Sequence, residues 1–322
     1  MRAYAIRRFL LIIPTLFIIT AILFLLFQII PGDVVDLIVA RQTWQQEVGT
    51  ESEVSPEAVR EALGLDVPVH IQYIRWMGGI FRGDFGRSMY HDRPLLEDLK
   101  TRIPVTFELS LFSLILSILC SVPIGIYAAI RQDTIGDYIG RSLSILFLAI
   151  PAFWVATLVM VYPALWWEWS PPVEYIPLAE DFWGNIGQFL IPALILGMFT
   201  SGGLMRVTRT MMLEVLRQDY IRTAWSKGLR ERLVILRHAV KNTLIPVITI
   251  AGGMIPTLLG GSVIIEQIFA LPGMGRYLLS AVIQRDFLIV AGWNLIMSAF
   301  VMIIIVLTDL AYAYVDPRIR YR

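Results

Sequence analysis

The sequence predicts an all-α membrane protein of six transmembrane helices, with a small helical extracytoplasmic insert after the first. Three observations predict it. Of 322 residues, 57% are hydrophobic and 16% are charged, whereas soluble domains run at about 45–50% and about 25%. The apolar residues come in long runs, and the mean hydropathy is +0.67. Basic residues cluster on alternate sides of those runs. Such a chain is not an ordinary soluble enzyme or a disordered polymer, and with Cys120 its single cysteine it is no disulfide scaffold.

Spans are expected near 9–30, 105–130, 142–165, 188–205, 243–265 and 287–309. Each is long enough to cross a bilayer core as a helix that satisfies its own backbone hydrogen bonds. The first comes after a basic leader, Arg2, Arg7 and Arg8, as a secretory signal would. It is too long for one, and Pro31-Gly32-Asp33 stands where small residues would mark a cleavage site, so it reads as an uncleaved anchor.

Charge orients the spans by the positive-inside rule. The leader places the N-terminus in the cytoplasm. Loop 166–187 has no Lys or Arg but has Glu168, Glu174, Glu180 and Asp181, so it is outer. Loop 206–241 has nine basic residues against Glu214, Asp219 and Glu231, so it is inner. An even span count returns Arg318, Arg320 and Arg322 to the cytoplasm. The domain reading is therefore 1–30, leader and first helix; 31–104, outer insert; and 105–322, a five-helix core containing loop 206–241.

The insert carries eight basic and twelve acidic residues. Ser55-Pro56-Glu57 opens a short helix that Gly64 stops. Pro68 starts a second, with Ile71, Ile74 and Met77 on one side, and Gly78, Gly79, Gly83 and Gly86 break up the chain beyond it. In the outer loop Trp166, Trp167, Trp169 and Trp183 read as an interfacial aromatic belt.

Several function classes lack their residues. Ion-driven carriers need ionisable groups within the membrane. Here only Glu108, a turn into the second span, and Asp309, at the end of the sixth, come close, and both read as structural partners of arginines. His70, His91 and His238 lie far apart and outside the spans, which gives no metal site. No G-x-x-x-x-G-K-[ST] phosphate loop occurs. The spans instead carry helix-softening residues: Pro123 with Gly125, Pro151, Pro192 and Pro256. Thr249, Gly253, Thr257 and Gly261 recur every four residues, and Thr200, Ser201, Gly202 and Gly203 repeat the theme in the fourth span. Such a stripe reads either as a helix-packing seam or as the wall of a path for a polar solute.

Loop 206–241 is more ordered than a charge patch requires. Asp219 is placed to cap a helix over Tyr220–Lys227, and Gly228 to end it in a left-handed turn. A second helix is expected over Glu231–Asn242, with Pro246 just inside the fifth span. Tyr220, Thr223, Ala224 and Lys227 share one face, suited to docking in a groove of another protein; a solvated basic loop is the plainer alternative.

The run Asp219-Tyr220-Ile221-Arg222-Thr223-Ala224-Trp225-Ser226-Lys227-Gly228 resembles the EAA-type coupling motif of ABC-importer permeases, above all the dipeptide/oligopeptide (peptide/nickel) group. The resemblance continues through 235–246, through Gly260–Phe269, through Leu271-Pro272-Gly273-Met274-Gly275-Arg276 and through Val315–Tyr321. Ile29-Ile30-Pro31-Gly32-Asp33 and Gly83-Asp84-Phe85-Gly86-Arg87-Ser88 also resemble that group, of which this chain is similar to the first of two paired permeases. Arg222 and Thr223 stand where the broad superfamily has Glu and Ala, a departure typical of the peptide group.

The resemblance implies a type I ABC-importer permease fold in a bacterial or archaeal cytoplasmic membrane. It implies a second homologous permease, two cytoplasmic ATPase subunits and an extracytoplasmic solute-binding protein as partners, with membrane lipid and without nucleic acid. ATP and Mg belong to the ATPase subunits; no cofactor is expected in this chain, which is not itself an enzyme. Coupling would fall to Asp219, Tyr220, Arg222, Thr223, Ala224, Lys227 and Gly228, and the translocation path to Thr200, Ser201, Thr249, Gly253, Thr257 and Glu266. Glu266 would meet a peptide amine or else pair with Arg276. The solutes implied are di- or oligopeptides, with nickel or another small solute as the alternative. From other classes, an ion-gradient secondary transporter and a membrane scaffold remain open.

Overall fold

The apolar runs fold as helices, with no β-strand among the described residues beyond a single bridge between Arg87 and Pro94. The computed structural model describes residues 2–29, 35, 39, 55–62, 66–88, 93–172 and 174–315. Pro31-Gly32-Asp33, Gly64, His91 and the basic C-terminal residues, together with the side chains of the leader and Asp309, lie outside the described residues.

In chain order the helices are α1 (Arg2–Ile29), α2 (Pro56–Ala62), α3 (Val69–Phe81), α4 (Leu95–Ile130), α5 (Ile135–Ala149) and α6 (Ala152–Trp167). They continue with α7 (Phe182–Leu216), α8 (Asp219–Ser226), α9 (Glu231–Gly253), α10 (Ile255–Ile268), α11 (Met274–Ile283) and α12 (Phe287–Val315). Among the described residues α4, α7, α9 and α12 are each long and apolar enough to cross a membrane. The described apolar stretch of α1 is Leu10–Leu26.

Two expected spans are not single straight helices. The third is divided into α5 and α6, bent by 87°. Pro151 disfavours helix at the residue before it, and Ile150 is extended at φ −87°, ψ 122°. The fifth divides at Met254, where Pro256 has no N–H to give the Gly252 carbonyl. Pro123 and Pro192, by contrast, sit inside α4 and α7, which run on through them. The expected loop also begins later than predicted, because α7 continues ten residues past Arg206 to Leu216.

The chain forms two units. One comprises Met1–Arg7, Thr101–Tyr277 and Val301–Arg322; the other comprises Arg8–Lys100 and Leu278–Phe300. In the first, Leu109, Phe189, Ala193, Leu196, Leu258 and Ile265 form a buried core from α4, α7 and α10. There α5 runs antiparallel to α7: Asp137 meets Arg209, and seven residues on, Ser144 Oγ donates to the Gly202 carbonyl at 2.6 Å.

In the second unit α3 buries Trp76 and Met77 against Ala291 and Leu295, with Tyr73, Leu16, Phe24 and Leu288 around them. Of the expected Ile71–Ile74–Met77 side, Met77 is buried, Ile71 is half-buried and Ile74 is 65% exposed. Aromatic area decides the rotation: Phe24 and Tyr73 lie 5.4 Å apart edge-to-face, and the Tyr73 and Trp76 centroids 6.2 Å apart. The four belt tryptophans, Trp166, Trp167, Trp169 and Trp183, are all exposed.

Candidate functional site

The helix α8 is short and polar, and alone would not be stable in water. What holds it is a seat. Ile221 is fully buried and Ala224 nearly so, against Ala129 of α4, Met212 of α7, and Val234 and Ala239 of α9. Ile126, Ile130, Leu213 and Leu216 complete the walls. The remaining side chains of α8 point away: Asp219, Tyr220 (44% exposed), Arg222, Thr223, Trp225 (43%) and Ser226, as does Lys227 just past its end.

Sequence and structure differ at the start of this helix. Gln218 is the N-cap residue, extended and without a side-chain cap bond, while Asp219 is already helical. Its carboxylate instead meets the Arg222 guanidinium at 3.6 Å, both well exposed. The end is as predicted: Gly228 has φ +75°, a left-handed conformation that side-chain-bearing residues disfavour, and its N–H donates to the Trp225 carbonyl at 2.9 Å.

Tyr220, Thr223, Ala224 and Lys227, expected to share one face, are divided by the packing. Ala224 turns inward, packed in the cluster formed by the ends of α4 and α7 and by α9, while Tyr220, Thr223 and Lys227 stay outward. Ile221, fully buried, and Trp225, 43% exposed, are the further residues that define the inward and outward sides of α8. Ile221 and Ala224 at i, i+3 are a pair of small and apolar residues in a polar helix, a legible sign of a seat. After Gly228 the chain returns through Arg230 into α9, whose stretch Val234–Val240 is π-helical rather than the regular helix expected. Asn242 of α9 donates from Nδ2 to the Tyr220 hydroxyl at 2.9 Å, pinning the first turn of α8.

A push on the outward face of α8 therefore bears directly on α4, α7 and α9. These are the helices that carry much of the membrane-crossing length.

The six path candidates do not gather at one surface. Thr200 and Ser201 are buried: Thr200 Oγ1 donates to Ser117 Oγ at 3.1 Å, and Ser201 Oγ donates to the Gly197 carbonyl at 2.7 Å. Thr249 is half-buried, and its hydroxyl donates to the Ile245 carbonyl. Gly253 and Thr257, on either side of the Met254 break, are exposed, as are Gly260 and Gly261.

Glu266 is fully buried and used internally. Thr106 Oγ1 donates to its Oε1 at 2.6 Å, and the Arg276 backbone N–H donates to Oε2 at 2.9 Å. Thr106 in turn accepts from the Met274 N–H at 2.8 Å. The carboxylate thus caps the N-terminus of α11. The expected pair with the Arg276 side chain is not made, because that guanidinium donates to the Ala270 carbonyl at 2.6 Å. Glu108, also expected to partner an arginine, lies beside Asn185 and Tyr175 instead, and its Oε1 is buried without a hydrogen-bond partner among the described residues. Among the described residues no three His, Cys, Asp or Glu side chains gather as metal ligands.

Residues 121–321 match the family described as binding-protein-dependent transport system inner membrane component. Residues 1–110 match the N-terminal part of binding-protein-dependent transport system membrane components. An oligopeptide transport system permease protein of Bacillus subtilis is 37% identical over 324 residues, covering all of both chains. A dipeptide transport system permease protein of Alkalihalophilus pseudofirmus is 34% identical over 344 residues, again covering both in full. A Brucella abortus protein provisionally named as a peptide transport system permease is 38% identical over 321 residues, with the same full coverage.

Proposed function

We infer the function from one premise: the chain belongs to the family of binding-protein-dependent transport system inner membrane components. Within it the chain is a permease subunit of an ATP-driven importer, and its solutes are di- or oligopeptides handed over by an extracytoplasmic binding protein. The relatives named for dipeptide and oligopeptide transport support the solute class. The complex pairs this chain with a second, homologous permease and two cytoplasmic ATPase subunits that bind ATP and Mg. Both chain termini lie in the cytoplasm, supported by the basic loop 206–241 and the acidic loop 166–187. The segment 31–104 then meets the binding protein.

The observation that carries the mechanism is the seating of α8. An exposed face with Tyr220, Arg222, Thr223, Trp225 and Lys227, preceded by Asp219, is mounted through Ile221 and Ala224 on α4, α7 and α9. Closure of the ATPase dimer on ATP moves α8 as a lever. The breaks at Ile150-Pro151 and Met254 supply the places where the core bends between inward- and outward-open states, a hinge-type switch. Gly253 and Thr257, with Thr249 beside them, line the path where this chain meets the second permease, and Thr200, Ser201 and Glu266 brace it from inside.

The test is the complete complex in proteoliposomes, with a labelled di- or tripeptide and the binding protein. ATP-dependent uptake is expected; uptake driven by a proton gradient without ATP would overturn the reading. Gly228→Val places a β-branched residue at φ +75° and is expected to lower peptide imported per ATP hydrolysed. Retained coupling in that variant would remove Gly228 from the mechanism.

A further inference from the structure

Asp137, in the first turn of α5, has a fully buried side chain, a rare setting for a carboxylate unless it is paired. Arg209 of α7 grips it as a fork: Nε donates to Oδ1 at 2.7 Å and Nη2 to Oδ2 at 2.8 Å. The Asp133 backbone N–H donates to Oδ2 at 3.0 Å. Arg141, a turn further along α5, stands 3.5 Å from Oδ1 but is 41% exposed. Asp133 has φ +60°, an unfavourable conformation for a residue with a side chain, so the bond from its N–H helps to fix that turn.

One carboxylate thereby joins three pieces: the turn that ends α4, the start of α5 and the last turns of α7. Two of these build the seat of α8. Ile126, Ala129 and Ile130 at the end of α4 and Met212, Leu213 and Leu216 at the end of α7 are the walls against which Ile221 and Ala224 pack. Arg209 lies one turn before Met212. Asp137, Gly140 and Ser144 form the buried stripe of α5, and Ser144 fastens the same two helices again at Gly202.

A hydrophobic pair of equal volume would hold such helices about as strongly as a buried ion pair. What the fork adds is a fixed direction and register, because a planar guanidinium meets a carboxylate in one geometry only. We propose that Asp137 and Arg209 are positioning residues for coupling, locking the ends of α4, α5 and α7 into one body. Displacement of α8 then passes to all three helices instead of being absorbed in its seat. This rests on the reading of α8 as the helix that meets the ATPase.

The experiment measures peptide uptake and ATP hydrolysis together in proteoliposomes holding the complete complex. Wild-type complex without ATP-dependent uptake would defeat the functional reading itself, whatever the variants do. With wild-type uptake established, Asp137→Asn is expected to keep the ATPase subunits bound while peptide imported per ATP falls, within the roughly 2- to 30-fold range of coupling mutations. Arg209→Lys keeps the charge and loses the fork, and is expected to fall less. Arg141→Gln is expected to match wild type. Uptake and hydrolysis falling in parallel with thermal stability, at an unchanged ratio, would make the pair merely structural and overturn the proposal. If Asp137→Asn does not assemble, Arg209→Lys decides: an unchanged ratio there overturns it equally.

Discussion

Asp137 and Glu266 are both carboxylates without exposed surface, yet they are satisfied by opposite means. Asp137 is held chiefly by a guanidinium fork from a helix 72 residues away in sequence. Among the described residues Glu266 has no ion-pair partner; a threonine hydroxyl and backbone N–H groups at the start of α11 supply donors to it. The difference concerns what is left behind when the acid is lost. Removing Asp137 strands a positive charge, whereas removing Glu266 leaves neutral dipoles, each costing less. The first arrangement fixes whole helices relative to one another, and the second fixes a single turn.

Asp137→Asn should show the largest effect on stability. Breaking a buried pair costs about 3–5 kcal/mol, with the lower end expected because Arg209 keeps 18% exposure. The unfolding midpoint of the purified complex measures it. Gly273→Val comes next, since a Cβ at Gly273 would fall on the Glu266 carboxylate. Overpacking of that kind costs about 1–3 kcal/mol, read from the same melting curve. Glu266→Gln keeps one acceptor and turns an NH₂ toward donors, for a loss of about 1–3 kcal/mol. A Glu266→Gln loss larger than that of Asp137→Asn would break the comparison. Smallest is Arg222→Ala, whose exposed partner Asp219 gives it little structural weight. Its melting curve should be unchanged while co-purification with the ATPase subunits weakens, separating the contact surface from its support.

Much of the ordered chain was legible beforehand for a simple reason: apolar run length and glycine placement are local properties. The long helices, the Gly228 turn and the helix from Pro56 arise from them. The misreadings are the places where a second chain segment decided the outcome. Asp219 had the chemistry of an N-cap, but the helix starts a residue earlier and its carboxylate meets Arg222. Ala224 looked like part of a docking face, yet the walls supplied by α4 and α7 turned it inward. In α3, Met77 and its neighbour Trp76 are buried against Ala291 and Leu295 of α12, with Phe24 of α1 beside them, and Ile74 is left exposed. The fork at Asp137 had only a faint local sign, the small-residue spacing Asp137–Gly140–Ser144 along one side of α5.

By itself the sequence determined that this chain lives in a bilayer, that its ordered elements are helices, and that 219–228 is a short helix ended by a left-handed glycine. Those conclusions depend on hydrophobicity and backbone sterics, which act over a few residues. The tertiary structure alone decided which side of each helix faces inward, that Glu266 caps α11, and that Asp137 is gripped by Arg209. These depend on which distant donors come within hydrogen-bond reach, because a buried polar group must find a partner wherever the packed chain provides one.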